Sequence, residues 1–92
     1  MRKIQRRDKF KIYGDLLSAL YRHSSDEKIV LTQIQREINV PFDRLKKYIG
    51  EIRNLDLIQN ENSLKLTKKG KQYVRMQKQV LDFMKRMGLT YQ

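Results

Sequence analysis

Arg44, Lys46, Lys47 and Arg53 fall within one stretch, FDRLKKYIGEIRN, residues 42–54. Guanidinium and ammonium groups are hydrogen-bond donors with no acceptor capacity. The chemistry open to them is therefore recognition of anions: phosphate oxygens, or the paired O6 and N7 acceptors of guanine. Asp43 and Glu51 in the same stretch would repel phosphate, so they must face a groove edge, pair with a neighbouring base, or orient Arg44 and Lys47. Catalytic chemistry is not expected. The chain has no cysteine and a single histidine, His23, with no glycine-rich phosphate loop and no acid cluster to seat a metal. No cofactor is implied, and His23 reads as a surface residue at the end of a helix.

The elements that must position these cations are legible as periodicity. Leu31, Ile34 and Ile38 recur at helical spacing; after the break Asn39-Val40-Pro41 a second set follows at Phe42, Leu45, Tyr48 or Ile49, Ile52 and Leu55. Two amphipathic helices joined by so short a turn predict a helix-turn-helix. The second helix, over 42–54, must cross the first and project its other face: Asp43, Arg44, Lys46, Lys47, Gly50, Glu51, Arg53 and Asn54. Thr32 with Gln35 predicts a capping box at the start of the first.

Upstream, Ile12, Tyr13, Leu16, Leu17, Leu20 and Tyr21 form one stripe of a helix over 8–22, with Asp8 as its cap. Gly14 within it costs about 1 kcal/mol relative to alanine. The polar run 23–28 ends that helix, and Ile29-Val30-Leu31 predicts one brief strand. Downstream, two short apolar-alternating runs flank an asparagine-rich turn over 57–66, which predicts a β-hairpin. A hairpin directly after a helix-turn-helix is a wing.

Thr67 then caps a final helix over 68–87, stopped by Gly88. Tyr73, Met76, Val80, Phe83 and Met87 keep an unbroken 3-4-3-4 spacing, flanked by Val74, Leu81 and Met84. This is an a/d seam over two heptads. Either it pairs with a second copy as a coiled coil, or its first half packs on the first helix and the rest frays.

The resulting fold class is mainly α with a small β-hairpin wing. Residues 1–67 form a winged helix-turn-helix domain with a basic N-terminal arm, and residues 68–92 form a long C-terminal dimerisation helix. The formal charge is +11, and it is polarised: 21 Lys and Arg face 10 Asp and Glu, with the excess in residues 1–11 and 68–92 while residues 12–67 balance. Such flanks favour polyanions, because each neutralised phosphate releases condensed counterions. No apolar run is long enough to span a membrane, so a soluble intracellular protein is expected, cytoplasmic and nucleoid-associated.

The order of elements resembles the archaeal winged-helix DNA-binding proteins that dimerise through a C-terminal antiparallel coiled coil. The resemblance covers nearly the whole chain. It rests on the L-x-x-Y-I-x-x-I-x-x-L-x-L-I run from Leu45 to Ile58 and on L-T-x-K-G-x-x-Y from Leu66 to Tyr73; the second piece is common to winged-helix transcription regulators. One departure is Pro41, where a hydroxyl cap is usual; proline can still open a helix. The resemblance implies a chromatin-associated DNA binder or a transcriptional regulator.

On that reading Arg44 grips guanine, Lys46, Lys47 and Arg53 meet phosphates, and Thr32 and Gln33 lie where backbone N–H groups contact phosphate. Asn60, Asn62 and Lys65 at the wing, Lys68 and Lys69 at the start of the last helix, and Arg6 and Arg7 in the arm add backbone contacts. Tyr73, Met76, Val80, Phe83, Met84 and Met87 form the dimer seam. The expected partners are double-stranded DNA and a second copy of the chain. A transcriptional regulator is favoured over a sequence-nonspecific architectural protein. A protein-interaction module is the reading from a different class, but it predicts a neutral or apolar recognition face, whereas this one carries four bases against two acids.

Overall fold

A computed structural model describes residues 9–89. Four helices follow in order: α1 (Lys9–Arg22), α2 (Leu31–Ile38), α3 (Phe42–Asn54) and α4 (Lys68–Arg86). α1 lies between α4 and α2, and α2 leads into α3. Leu16, Leu17 and Leu20 of α1, Ile34 of α2, and Leu45 and Ile52 of α3 are fully buried together with Ile58. Each such side chain contributes about 1.5–3 kcal/mol by leaving water. These residues are the stripes that the 3-4 spacing marks, and they fix the angle at which α3 leaves the body.

The turn between α2 and α3 is made by Asn39, which adopts a left-handed conformation with φ 56° and donates its N–H to the Gln35 carbonyl. Asparagine tolerates this region better than most residues. Val40 is buried, and Pro41 in extended backbone precedes the first turn of α3. α3 ends where Asp56 turns left-handed at φ 65° and the Leu57 N–H returns to the Ile52 carbonyl at 2.9 Å, the six-to-one bond of a Schellman cap.

Several expectations need correction. Ile29 and Val30 do not form a strand: Val30 is extended, but α2 already begins at Leu31. The capping box at Thr32 is displaced for the same reason. Val30 holds the N-cap position without a side-chain acceptor, and Thr32 lies inside the first turn. The hairpin of 57–66 is reduced to one antiparallel bridge, Ile58 to Leu66. Gln59 N–H to Lys65 O and Thr67 N–H to Leu57 O bracket that bridge. Pairing goes no further because the turn closes tightly: Asn60 Oδ1 accepts from Asn62 N and Ser63 N, and Leu64 is left-handed at φ 57° with its side chain buried. Tyr21, Phe42 and Leu55, all placed in apolar stripes by spacing, are exposed. The Asp8 cap lies outside the described residues.

α4 matches its expected span to within a residue. Thr67 caps it, accepting from Gly70 N at 3.0 Å and donating its hydroxyl to the Asp56 carbonyl at 2.7 Å. Gly88 closes it at φ 79°. Gly70 packs so closely on the Leu57 carbonyl that a Cβ would fall 2.1 Å from its oxygen. On α1, Gly14 leaves room for the end of the Gln77 side chain, whose amide lies where a Cβ would be. Gln77 is only 4% exposed.

Two apolar faces emerge on α4. Tyr73, Val74, Gln77, Leu81 and Met84 are buried or half-buried; Tyr73 and Val74 pack on the core, and the Tyr73 hydroxyl donates to the Phe10 carbonyl at 3.1 Å. Met76, Val80, Phe83 and Met87 are 39–61% exposed. The helix continues to Arg86 without fraying at its midpoint. Tyr73 is thus largely taken up within the chain, whereas the rest of the 3-4-3-4 row stays substantially exposed. No described helix is long and apolar enough to cross a membrane.

Candidate nucleic-acid interface

The outward face of α3 is built by subtraction. Leu45, Ile49 and Ile52 turn to the core, and Tyr48 is half-buried with its ring edge-on to Tyr13 at 6.3 Å. That leaves Asp43, Arg44, Lys46, Lys47, Arg53 and Asn54 exposed. Glu51 does not join them as a repelling charge. Its Oε1 accepts the Tyr13 hydroxyl at 2.5 Å and lies 3.4 Å from Lys9 Nζ, both on α1. The Tyr13 hydrogen bond, and Lys9 beside it, hold the Glu51 carboxyl below its ordinary range. Burial and the adjoining carboxylate push Tyr13 up to about 12. Of the three roles open to Glu51, pairing with a neighbouring base is the observed one. Gly50 sits beside it, and apart from its own helix backbone and chain neighbours nothing lies within 4 Å of where a Cβ would stand, so the backbone is open to close approach.

The cations expected to act alike divide into two groups. Arg44, Lys46 and Lys47 are exposed and form no salt bridge among the described residues, although Lys47 stands near enough to Glu51 to help lower its pKa. The Lys46 ammonium stands 5.9 Å from the Phe42 ring centroid. Three others have internal partners. Arg53 Nε lies 3.3 Å from Glu61, which ties the end of α3 to the 57–67 loop. Lys65 Nζ donates to the Ser24 carbonyl at 3.1 Å, turned toward the α1–α2 connection. Lys69 Nζ donates to the Leu55 carbonyl at 2.8 Å, at the C-terminal end of α3, where a cation meets the negative pole of the helix. Lys68 and Asn62 are exposed, as are Thr32 and Gln33 at the open end of α2. Asn60 is exposed but its side chain holds the turn. Arg6 and Arg7 lie outside the described residues.

Two features escaped the sequence reading. Phe42, assigned to the core by spacing, is 40% exposed at the leading end of α3; its position directly after Pro41, before the stripe settles onto the core, is the available signal. The second is a cluster around His23. Its Nδ1 lies 2.8 Å from Asp26 and its Nε2 2.5 Å from Glu37 on α2, while Arg22 also reaches Glu37 at 2.8 Å. The Glu37 and Asp26 hydrogen bonds raise the His23 pKa; the Arg22 and His23 hydrogen bonds lower that of Glu37. The expected surface histidine is therefore a clasp between α1 and α2.

A family model described as winged helix-turn-helix matches residues 6–89. The chain belongs to the winged helix-turn-helix family. No curated protein and no solved structure matches it. As a winged helix-turn-helix domain, its α2–turn–α3 unit supports DNA binding, with exposed cations on the face of α3 that such domains present.

Proposed function

We propose that this chain is a transcriptional regulator that binds double-stranded DNA as a homodimer, with α3 in the major groove. The observation that carries the reading is the cationic excess on the outer face of α3: Arg44, Lys46 and Lys47 are exposed beside one exposed acid, Asp43, while Glu51 is withdrawn onto Tyr13 and Lys9. Arg44 reads guanine through O6 and N7. Lys46 and Lys47 hold phosphates, and Phe42 offers an apolar surface to a thymine methyl. Phosphate also meets the N-terminus of α2 at Thr32 and Gln33, where no side chain caps the helix. The 57–67 loop takes the part of the wing, presenting Asn62. Lys68 continues that edge.

The dimer is supported by Met76, Val80, Phe83 and Met87, four large apolar side chains on one exposed heptad row. Pairing of two such rows covers them and presents two α3 helices to one target. A sequence-nonspecific architectural role is the second reading, favoured by the number of exposed cations on α4, away from the base-reading face.

Fluorescence anisotropy with random and candidate operator duplexes, at several salt concentrations, tests both. A subset bound about 10³-fold more tightly, with the preference flattened in Arg44→Ala, establishes the regulator. Equal affinity for all duplexes with a steep salt slope establishes the architectural protein. Absence of duplex binding at low salt overturns both in favour of a protein-interaction module.

A further inference from the structure

Lys68, Lys71, Arg75, Lys78 and Lys85 recur along α4 at three- and four-residue steps, with Asp82 completing the row. All five cations are exposed, and none has an acidic partner among the described residues. The row lies apart from the exposed apolar seam of α4, while its later members Lys78, Asp82 and Lys85 border the cleft lined by Val74, Gln77, Leu81 and Met84. Val74, Gln77, Leu81 and Met84 turn toward the body, and Met76, Val80, Phe83 and Met87 form the exposed seam. The cations occupy the remaining sector of the helix. From Lys68 to Lys85 they span about 26 Å at ~1.5 Å per residue.

Isolated lysines on a long helix are ordinary solvation, but this row has three further properties. It starts against the helix dipole, with cations in the first turn where anions are stabilised. Its first three members line a cleft of about 660 Å³ with Gln59 and Thr67 of the wing loop, so the row begins at the wing. Lys69, one residue out of the row, is consumed as a cap on Leu55 while its neighbours Lys68 and Lys71 stay exposed.

We infer that this ridge is a second phosphate-binding surface, which holds the backbone of a nucleic-acid duplex beyond the reach of α3. The ligand chemistry follows from charge complementarity: a straight line of cations with one acid matches a regular polyanion better than a compact anion. Because the ridge is separate from the exposed apolar seam, it remains available when α4 pairs with a second copy. The inference rests on the reading of the chain as a duplex binder.

The test compares salt slopes on one duplex for the full chain, Lys71→Gln/Arg75→Gln, and the control Lys28→Gln/Arg36→Gln. The control removes the same charge from exposed positions that lie on neither α3 nor α4. Each phosphate contact contributes about 0.9 to the slope of log affinity against log salt, so the ridge pair should lower it by about 1.8 and the control should leave it unchanged. Arg44→Ala should keep the ridge contribution while losing sequence preference. Equal slopes for the ridge and control pairs overturn the ridge and leave the duplex-binding reading standing. Failure of the unmodified chain to bind any duplex overturns both. Thermal unfolding of each variant confirms that these exposed substitutions leave the fold intact.

Discussion

The Tyr13 hydroxyl on α1 donates to Glu51 on α3 at 2.5 Å, and this bond removes a carboxylate from the face that Arg44 and Lys47 share. Support of the fold and the proposed recognition face are thereby joined in one contact. Tyr13→Phe should lower stability by about 1 kcal/mol, as expected for one partly solvated hydrogen bond. It should also weaken duplex binding, because Glu51 is then free to turn outward. Denaturant unfolding and anisotropy on the same variant check the two effects.

The same pair sets two pH dependences. Glu51 is depressed in the folded chain, so its stabilisation is present above the ordinary carboxylate pKa and is lost as pH falls through the lowered value. Tyr13 is raised to about 12. Its stabilisation is complete below the ordinary phenol pKa and is lost as pH rises from there through about 12. An alkaline absorbance titration should show Tyr13 ionising well above the ordinary phenol pKa, and Glu51→Gln should advance it.

The His23 clasp titrates nearer neutrality. Its folded pKa is raised, so the linked stability is fully present below the ordinary histidine value and is lost as pH rises through the raised one. Unfolding midpoints should therefore fall on moving from mildly acidic to mildly alkaline buffer. Replacing His23 with glutamine should flatten that part of the profile, and an unchanged slope would remove His23 from the account.

Gly70 and Gly50 should respond oppositely to alanine. A Cβ at Gly70 meets the Leu57 carbonyl oxygen at 2.1 Å, a backbone atom that cannot swing aside. Gly70→Ala should cost about 1–3 kcal/mol. Gly50 has open space, so Gly50→Ala should gain up to about 1 kcal/mol of helix propensity. Yet it should reduce duplex affinity, since it fills the gap on the recognition face. Thermal midpoints and anisotropy measured together distinguish the two glycines.

Phe83 is half exposed at the centre of the uncovered row on α4. Phe83→Glu should convert the proposed dimer to monomer in sedimentation equilibrium while leaving the helical content of the monomer intact. A chain already monomeric before substitution would sink the seam as a dimer interface.

Helix positions were readable because periodicity is a local signal. The spacing of Leu45, Ile49 and Ile52 placed α3, and Thr67 with Gly88 bounded α4. The start of α2 was misread because a side-chain pattern at Thr32 competes with backbone that turns helical at Leu31. The hairpin of 57–66 is shorter than its alternation suggests because Leu64 takes a left-handed conformation that leucine rarely signals. Which cations remain available was beyond linear reading. Lys65 reaches Ser24 and Tyr13 reaches Glu51 across long stretches of sequence, and those partners exist only once the chain has folded.

The first turn of α4 is fastened to the far end of α3 through Lys69 on Leu55 and Gly70 against Leu57. In the proposed homodimer, the register of the paired seam would therefore set the separation of the two recognition helices. Heptad packing permits only discrete registers, about 10 Å apart. That step is close to three base pairs at ~3.4 Å each. Half-site spacing would then be quantised, and a single slip of the seam would retune the chain to a differently spaced operator without altering any residue that touches DNA.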